Sequence, residues 1–400
     1  MTAVDGASAG GETGTGALAT PTAPARTPPV ATVPPPAGRP VGWLGAPAPG
    51  GLALPPALPT ASQLYAPRGV WVDDLVTVVA DTGNHRVLIW HRARPGQHAP
   101  ADVVLGQADF SSERPNGPGP QRGLHLPTGV VVHEGRLVVA DAWNHRVLVW
   151  DGVPETHAAR PDVVLGQPDL TSVAANRGEG CGPLSFYWPF GVAMVGGRFY
   201  VADTGNRRVL VWDGIPEPEE KPLAVLGQPD PYQRDENRGG IGPASFRWPH
   251  DVAGTGERVL VADAGNHRLL GWSPPPDADR DADQVLGQLD LVTGRELPYQ
   301  PQSPSSLRFP YAASVSRDGR LAVADTANNR VLLWDRVPER SGVPADRVVA
   351  QHDFASNGEN RWQLVGDDTL CWPFGLCLHG ATLAVADSGN NRVMLWELDP

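Results

Sequence analysis

The chain has little of what marks a disulfide-stabilised, zinc-binding or membrane protein. Its 400 residues include only three cysteines, Cys181, Cys371 and Cys377, with no C-x-x-C spacing, so we expect reduced thiols rather than disulfides or a zinc site. No apolar run approaches the ~20 residues that span a bilayer. The first residues lack the basic and apolar segments of a secretory signal. These absences predict a cytoplasmic protein that does not associate with membranes.

Catalytic motifs are missing as well. No phosphate-binding glycine loop occurs, and the spacing suggests no Ser-His-Asp or Cys-His arrangement. The formal net charge is −12 and no segment is rich in lysine and arginine, whereas nucleic-acid affinity rests on neutralising phosphates. The sequence therefore predicts no catalytic residue, no metal ligand and no cofactor, and nucleic acid is not the expected partner.

What the chain does contain is one short phrase in six copies, of which VADTGNRRVLVW, ending at Trp212, is an example. The aspartates of successive copies are 60, 62, 60, 62 and 62 residues apart, at Asp81, Asp141, Asp203, Asp263, Asp325 and Asp387. A period this regular indicates an array of one supersecondary unit.

Each repeat contains four runs typical of strands. In the second repeat, residues 128–132, 136–141, 145–150 and 162–166 are rich in valine and leucine and are bounded by Gly, Pro, Asn or Asp. No stretch keeps a helical periodicity over a dozen residues. The pattern predicts an all-β protein, a six-bladed β-propeller of four-stranded blades, rather than an open solenoid or a string of separate small sheets.

The two ends of the chain indicate how the ring closes. The last repeat stops before its fourth strand, and a matching segment, RPVGWLG at residues 39–45, precedes the first repeat. We predict that this N-terminal strand completes the sixth blade, so that no terminal edge strand stays open. The expected domains are a disordered tail rich in Pro, Ala, Gly and Thr at 1–38 and a propeller at 39–400, with a closing strand at 39–46 and blades near 64–107, 124–167, 186–228, 246–288, 307–351 and 370–396.

The shared residues of the phrase have a structural interpretation. The arginine two positions after each asparagine is placed to pair with the aspartate, and the terminal tryptophans are expected to fill one equivalent position in every blade. His85, His145 and His267 occupy a position that holds Arg or Asn in the other copies, so we interpret it as a solvated turn. Because a ring separates equivalent residues widely, six such aspartates do not form a catalytic set.

The phrase D-x-x-N-[HRN]-R-[VL], with its flanking strands, resembles the NHL repeat, and residues 39–400 resemble a six-bladed NHL propeller. The repeated VLGQ segment and the Trp-Pro or related pair before the blades are similar to those of bacterial members. This resemblance implies a fold and a tendency to bind other molecules, but no particular activity.

Two groups of residues are candidates for binding. The residue after the proline that begins each blade should point towards the axis and line the channel mouth: Arg68, Thr128, Phe190, His250, Tyr311 and Phe374. The connections between blades are each about 20 residues long, a length at which loops are usually functional. Three of them repeat an Asn-Arg pair, a second candidate set that could bind a partner or merely fix the loop to its blade: Asn176, Arg177, Asn237, Arg238, Asn360 and Arg361.

The channel mouth does not fit the metal sites of related propellers. The segment Pro249-His250-Asp251 is similar to a zinc-ligand segment of peptidyl-hydroxyglycine amidating lyases, but the equivalent positions in the other blades hold no histidine. The ring of acidic and amide residues found in calcium-dependent lactonase-like propellers is absent too.

We therefore expect a non-catalytic, monomeric interaction or scaffold module that docks a protein partner through its loop-rich face, for example in the assembly of a bacterial enzyme complex. A propeller lyase or hydrolase with a site at the channel mouth is the alternative. RNA binding, which the resemblance to animal NHL propellers suggests, is the third possibility.

Overall fold

The computed structural model describes residues 37–45, 58–296 and 301–400. They form six four-stranded antiparallel sheets, and in five of these the strands follow one another along the chain from the inner to the outer strand. The inner strands of neighbouring sheets contact one another around a complete circuit, including the first sheet with the last. The predicted six-bladed β-propeller is thus confirmed.

Each of the first five blades is built from four consecutive strands. Blade 1 has β2 (Gly69–Val72), β3 (Thr77–Asp81), β4 (Arg86–Trp90) and β5 (Val103–Leu105), and blade 2 has β6 (Val130–His133), β7 (Arg136–Asp141), β8 (Arg146–Trp150) and β9 (Val163–Leu165). Blade 3 has β10 (Pro189–Val195), β11 (Arg198–Asp203), β12 (Arg208–Trp212) and β13 (Ala224–Leu226), and blade 4 has β14 (Pro249–Thr255), β15 (Arg258–Asp263), β16 (Arg268–Trp272) and β17 (Gln284–Leu286). Blade 5 has β18 (Pro310–Val315), β19 (Leu321–Asp325), β20 (Arg330–Trp334) and β21 (Arg347–Val349).

The sixth blade joins the two ends of the chain. It contains β22 (Pro373–His379), β23 (Thr382–Asp387) and β24 (Arg392–Leu398), and its outer strand is β1 (Gly38–Gly45). β1 runs antiparallel to β24, with Gly38 opposite Leu398 and Gly45 opposite Arg392. The predicted closure of the ring by an N-terminal strand is confirmed. The disordered tail predicted for residues 1–38 falls, except for Ala37 and Gly38, outside the described residues, and the proposed domain boundaries remain a prediction.

The second and third strands of every blade are joined by a short 3-10 turn. Each turn is followed by a residue in the left-handed conformation, with φ between 52° and 56°. The six turns are Thr82–Asn84, Ala142–Asn144, Thr204–Asn206, Ala264–Asn266, Thr326–Asn328 and Ser388–Asn390. Three further 3-10 turns lie in the long connections, at Ala175–Gly178, Glu236–Gly239 and Glu359–Trp362.

The hydrophobic core lies between neighbouring blades. Alternate residues of the two middle strands face opposite sides of each sheet, so both faces of a blade are apolar and pack against the blades beside it. The repeat tryptophans are at most 3% exposed, which confirms that they occupy one buried position: Trp90, Trp150, Trp212, Trp272, Trp334 and Trp396. The indole N–H of Trp90 donates to the carbonyl of Ala99 at 3.0 Å, and four other copies make the equivalent bond.

Candidate functional site

A buried ion pair holds the 3-10 turn of every blade. In blade 3, Arg208 Nε donates to Asp203 Oδ2 at 2.8 Å, and Asn206 Nδ2 donates to the same oxygen at 2.8 Å. The backbone N–H of Tyr187 donates to the other carboxylate oxygen at 2.7 Å. Both charged side chains are fully buried. All six blades repeat the pair, so the predicted Asp–Arg pairing is confirmed, and its role is structural.

The same arginines hold the long connections in place. Arg208 Nη1 donates to the carbonyl of Pro231, in the connection that follows its blade. Its Nη2 donates at 2.9 Å to the carbonyls of Gly182 and Ser185, in the connection that precedes the blade. Arg86, Arg146, Arg268 and Arg330 bind equivalent carbonyls on both sides. Each of these five guanidinium groups therefore fixes two loops of about 20 residues on one face of the disc.

The side chain at the variable position after each turn is buried or half-buried, so the interpretation of this position as a solvated turn was wrong. His267 is 4% exposed, and its Nδ1 accepts a hydrogen bond at 3.2 Å from the backbone N–H of Phe309, which precedes the next blade. His85, His145, Asn329 and Asn391 accept the equivalent bond. Histidine and asparagine interchange here because both present an acceptor.

The histidines at this position are held in their neutral form. Burial lowers the pKa of His85, His145 and His267 to about 4 in each case. A neutral imidazole leaves Nδ1 free to accept, which the bond to the next blade requires. These three histidines are therefore contacts between blades.

The Asn-Arg pairs of the long connections lie where the loops meet their blades. Asn206 Nδ2 donates to Asn176 Oδ1 at 2.8 Å, and the amides of Asn237 and Asn360 accept from the corresponding turn asparagines at 2.7 and 2.9 Å. The guanidinium beside each amide has a carboxylate partner at 2.6–2.7 Å: Arg177 with Glu219, Arg238 with Asp279 and Arg361 with Asp368. These contacts account for fixing each loop to its blade; a binding role for the six residues remains a prediction.

Two residues with the same structural role were missed. Asn144 Nδ2 donates to Asn116 Oδ1 at 2.7 Å, and Asn328 Nδ2 donates to Gln302 Oε1 at 3.0 Å. Asn116 is followed by glycine rather than arginine, so a search for Asn-Arg passes over it. Its position in the connection, nine residues after Gln107, was the available signal, because Asn176 lies nine residues after Gln167.

The six residues predicted at the channel mouth do converge on the axis. Phe190, His250, Tyr311 and Phe374 form a chain of ring contacts with centroid separations of 4.6, 4.4 and 4.7 Å. The guanidinium of Arg68 lies 4.6 Å from the centroid of Phe374, and Thr128 Oγ1 donates to the carbonyl of Phe190 at 2.8 Å. We call these six side chains the axial ring; a binding role for them remains a prediction.

Bulges and glycines create the axial ring. The strand register shifts directly after Pro189, Pro249, Pro310 and Pro373, which turns the next side chain out of the ladder and towards the axis. The residue after the ring member is glycine in four blades. A Cβ on Gly191 would stand 2.4 Å from the carbonyl oxygen of His250, so glycine is what lets the inner strands approach each other.

The axial ring lies at the inner end of a central cavity of about 860 Å³. All six of its residues line the cavity, followed by the remaining lengths of the inner strands. Turn residues of the opposite face, including Leu75, Gly135 and Arg317, line its other end, and none of the described residues of the long connections contributes. The cavity therefore extends from the axial ring towards the face opposite the long connections.

Burial sets the protonation of the two titratable groups at Pro249-His250-Asp251. It lowers the pKa of His250 to about 3, with a smaller contribution from the charge of Arg68, and raises the pKa of Asp251 to about 7. Asp251 stands where four blades have glycine, and its carboxylate accepts from the backbone N–H of Val252 and, across the blade boundary, of Ala313 at 2.9 and 3.1 Å. Asp251 is therefore committed to backbone contacts, and His250 is a neutral member of an aromatic ring.

Across residues 37–45, 58–296 and 301–400, no three His, Cys, Asp or Glu side chains gather in a way that could hold a metal ion. The three cysteines are free thiols, and burial raises the pKa of Cys371 and Cys377 to about 12, so both are poor nucleophiles. The helices in the described part of the chain are short 3-10 turns, and none is long or apolar enough to cross a membrane.

Large apolar side chains are exposed mainly on the long connections. Twelve are exposed in the described residues, and nine of these belong to the connections: Leu58, Tyr65, Val173, Tyr232, Leu289, Val292, Trp362, Leu364 and Trp372. Trp362 and Leu364 are 80% and 72% exposed. The exposed apolar surface is thus concentrated on one face of the disc, which we call the loop face.

Comparisons with known proteins agree with the repeat and the fold. A family model for the NHL repeat matches residues 124–150. The chain is 29% identical over 214 residues to NHL repeat-containing protein 3 of Mus musculus, covering 47% of this chain and 54% of that protein. It is 24% identical over 385 residues to NHL repeat-containing protein 2 of Homo sapiens, covering 87% and 48%. The chain thus spans about half the length of these relatives.

Among solved structures, the chain is similar to the WD40 β-propeller domain of Doa1, with a TM-score of 0.46, 11% identity, and coverage of 86% of this chain and 98% of that one. The assignment itself rests on the motif and the relatives. The D-x-x-N phrase places its aspartate, asparagine and arginine in the same buried cluster in all six blades. The matching model thus identifies residues 124–150 as an NHL repeat, the same cluster recurs in all six blades, and the chain as a whole is similar to NHL repeat-containing proteins.

Proposed function

We propose that this NHL propeller is a non-catalytic interaction module that docks a protein partner on its loop face. The observation that carries the proposal is the concentration of exposed large apolar side chains on that face. Exposed aromatic and apolar residues that lie together mark interaction sites, and tryptophan and tyrosine are enriched at the centres of interfaces.

The loop face is also pre-organised. Six buried arginines bind carbonyls of the connections on this face, and three Asn-Arg pairs hold the loops a second time. A surface that is ordered before binding loses little conformational freedom when a partner docks. Long loops fixed in this way suit a constant docking surface better than an adjustable lid.

The strongest sector of the loop face lies in the connection that leads into blade 6. Trp362, Leu364 and Trp372 are all exposed there, and Leu289 and Val292 are exposed on the connection into blade 5. The Trp372 indole N–H donates to Glu359 Oε1 at 2.9 Å, which holds that side chain in place. We propose this sector as the centre of the docking surface.

The other two functions receive less support from the geometry. A lyase or hydrolase at the axial ring would have His250 as its base, and that imidazole is enclosed by Phe190 and Tyr311 at 4.6 and 4.4 Å. RNA binding depends on neutralising phosphates, whereas the chain has a formal net charge of −12 and the arginines of the three Asn-Arg pairs are each paired with a carboxylate.

We further propose that the protein acts as a monomer in the cytoplasm, for example in the assembly or docking of an enzyme complex. Three free thiols, two of them with strongly raised pKa values, are compatible with a reducing compartment. Size-exclusion chromatography with light scattering gives the oligomeric state directly, and a mass of twice 42.5 kDa would contradict the monomer.

The test compares two faces of the same disc. A partner is captured from the native host with the intact protein, identified by mass spectrometry, purified and returned to a binding assay. The double substitution Trp362→Ser and Leu364→Ser removes apolar surface from the loop face. Leu75→Ser, at a residue 79% exposed on the opposite face, is the matched control. We expect the double variant to weaken binding about thirtyfold or more, as loss of a central aromatic does.

The control should bind like the unaltered protein. A partner that is insensitive to the double variant but loses affinity with Leu75→Ser would place docking on the opposite face and contradict the proposal. Replacing Asn360 and Arg361 is a weaker test, because these residues hold the connection and their loss would shift the surface indirectly.

A further inference from the structure

Half-buried Arg68 differs from the repeat arginines and from the arginines of the Asn-Arg pairs. The repeat arginines and the three loop arginines each have a carboxylate within 3.0 Å. Within the described residues, Arg68 forms no ion pair, and its Nε is shielded from solvent without a hydrogen-bond partner. The guanidinium carbon of Arg68 lies over the face of the Phe374 ring, 4.6 Å from its centroid. Such a cation has lost hydration without gaining a counter-charge.

The surroundings of Arg68 supply no negative charge either. It is the only charged member of the axial ring. The neighbouring His250 is neutral, because burial lowers its pKa to about 3, and burial raises the pKa of the Tyr311 hydroxyl, which is therefore neutral too. Burial also lowers the pKa of Arg68 itself, as expected for a desolvated cation.

We propose that the inner end of the central cavity binds the carboxylate of a small organic anion with a flat apolar body, and that Arg68 is the residue that receives it. The guanidinium presents a fork of N–H donors that matches the two oxygens of a carboxylate. Tyr311 and His250 provide neutral hydrogen-bonding groups beside it. Phe190, Tyr311 and Phe374 provide ring faces against which an apolar body can pack.

The charge at this end of the cavity favours a single negative charge over a phosphate dianion. One guanidinium is present, and the nearest carboxyl group along the strands, Asp251, already accepts two backbone hydrogen bonds. A cavity of about 860 Å³ has room for a small molecule, and it extends away from the loop face, so the site is independent of the proposed docking surface.

The experiment measures binding of benzoate by isothermal titration calorimetry to the full chain and to two matched variants. Arg68→Met leaves an unbranched apolar side chain at this position and removes the guanidinium N–H donors. Arg317→Met removes the exposed guanidinium at the other end of the same cavity. We expect Arg68→Met to weaken benzoate binding about tenfold to a hundredfold, the range for a lost charge-assisted hydrogen-bond pair, and Arg317→Met to change it less than twofold.

Two ligand controls define the chemistry. Benzamide has nearly the same shape without the charge and should bind at least tenfold more weakly than benzoate. Inorganic phosphate has charge without the flat body and should compete only weakly. Tighter binding of phosphate than of benzoate, or equal losses with Arg68→Met and Arg317→Met, would overturn the proposal, as would the absence of benzoate binding.

Stability provides a second readout. Because Arg68 has no counter-ion, the Arg68→Met protein should unfold at the same temperature as the unaltered protein or at a higher one. A clear fall in the unfolding temperature would show that Arg68 serves the fold, and the site would then be rejected.

Discussion

The 3-10 turns and the axial ring are both six-membered circles, and they differ in one respect. Every turn carries the same aspartate, asparagine and arginine with the same bonds, whereas the axial ring holds five different residue types in its six positions. The six turns have equivalent neighbours in their blades, so the same residues recur in each of them. The axial residues meet at a single place, where each contributes something different. Repetition in this protein therefore marks structure, and variation at equivalent positions marks the candidate site.

The sixth blade gives the largest test of this comparison, because it has the repeated turn but takes its outer strand from the other end of the chain. A chain that begins at Gly51 lacks β1, including the buried Leu44 and the packed Trp43, and exposes the edge of β24. We expect a loss of about 5 kcal/mol in the free energy of unfolding, or insolubility. A chain that begins at Gly38 should match the full-length protein; equal thermal midpoints for both chains would contradict closure.

A second test compares a turn residue of blade 3 with the axial-ring residue of the same blade. Arg208→Ala removes one member of a fully buried ion pair and frees two connections, which should cost about 3–5 kcal/mol of stability. Phe190→Leu, in the axial ring of the same blade, should cost less than about 1.5 kcal/mol. Urea unfolding of both variants measures the difference. Similar losses would mean that the axial ring is as structural as the turns.

The pH dependence of stability tests the position after the turn. His267 has a folded-state pKa of about 4, below the value of about 6.5 for an unfolded histidine, so the unfolded chain binds the extra proton first. Stability is then lost as the pH falls from about 6.5 to 4, by up to about 1.4 kcal/mol per unit for each such histidine. His267→Asn keeps an acceptor, as Asn329 does naturally, and should reduce this loss while leaving stability at pH 8 unchanged.

The titration of Asp251 changes the stability of the fold in the opposite direction over the same pH range. Burial raises its pKa to about 7, so its contribution favours the folded state at low pH and is lost as the pH rises to 7. Because Asp251 is present in both proteins, it cancels in the difference between them. Identical slopes of stability against pH for His267→Asn and the unaltered protein would contradict the neutral acceptor.

The smallest effect is expected at Thr128. Its hydroxyl donates to the Phe190 carbonyl, but the N–H of Gly129 donates to the same oxygen at 2.8 Å. Thr128→Val should therefore cost less than about 1 kcal/mol in thermal unfolding. A loss of stability as large as that of Arg208→Ala would show that Thr128 has a structural role like that of the turn residues.

Much of the fold could be predicted from the sequence because the repeat is a local signal. The spacing of Asp203 and Arg208 places both side chains at the ends of paired strands, so their contact follows from the hairpin alone. The closing strand was recognisable because RPVGWLG resembles the outer strand of other blades. The convergence of the axial residues followed from the position of the proline in each repeat.

The rest depends on contacts between blades, which no short segment of sequence encodes. The acceptor role of His267 requires a backbone N–H that lies 42 residues further along the chain. The second set of bonds made by Arg208 ends on carbonyls, which any residue type supplies, so the sequence carries no mark of them. For the same reason, the lack of a counter-ion at Arg68 becomes visible only when its neighbours from other blades are in place.

The closing strand also fixes an order of events during synthesis. Gly38–Gly45 leaves the ribosome before the first five blades, and its partner Arg392–Leu398 is made only after all five. For the time needed to translate some 350 residues, this early segment has an apolar side and no sheet to join. The ring can therefore close only after Arg392–Leu398 has been synthesised, and until then the nascent chain must keep β1 from pairing elsewhere.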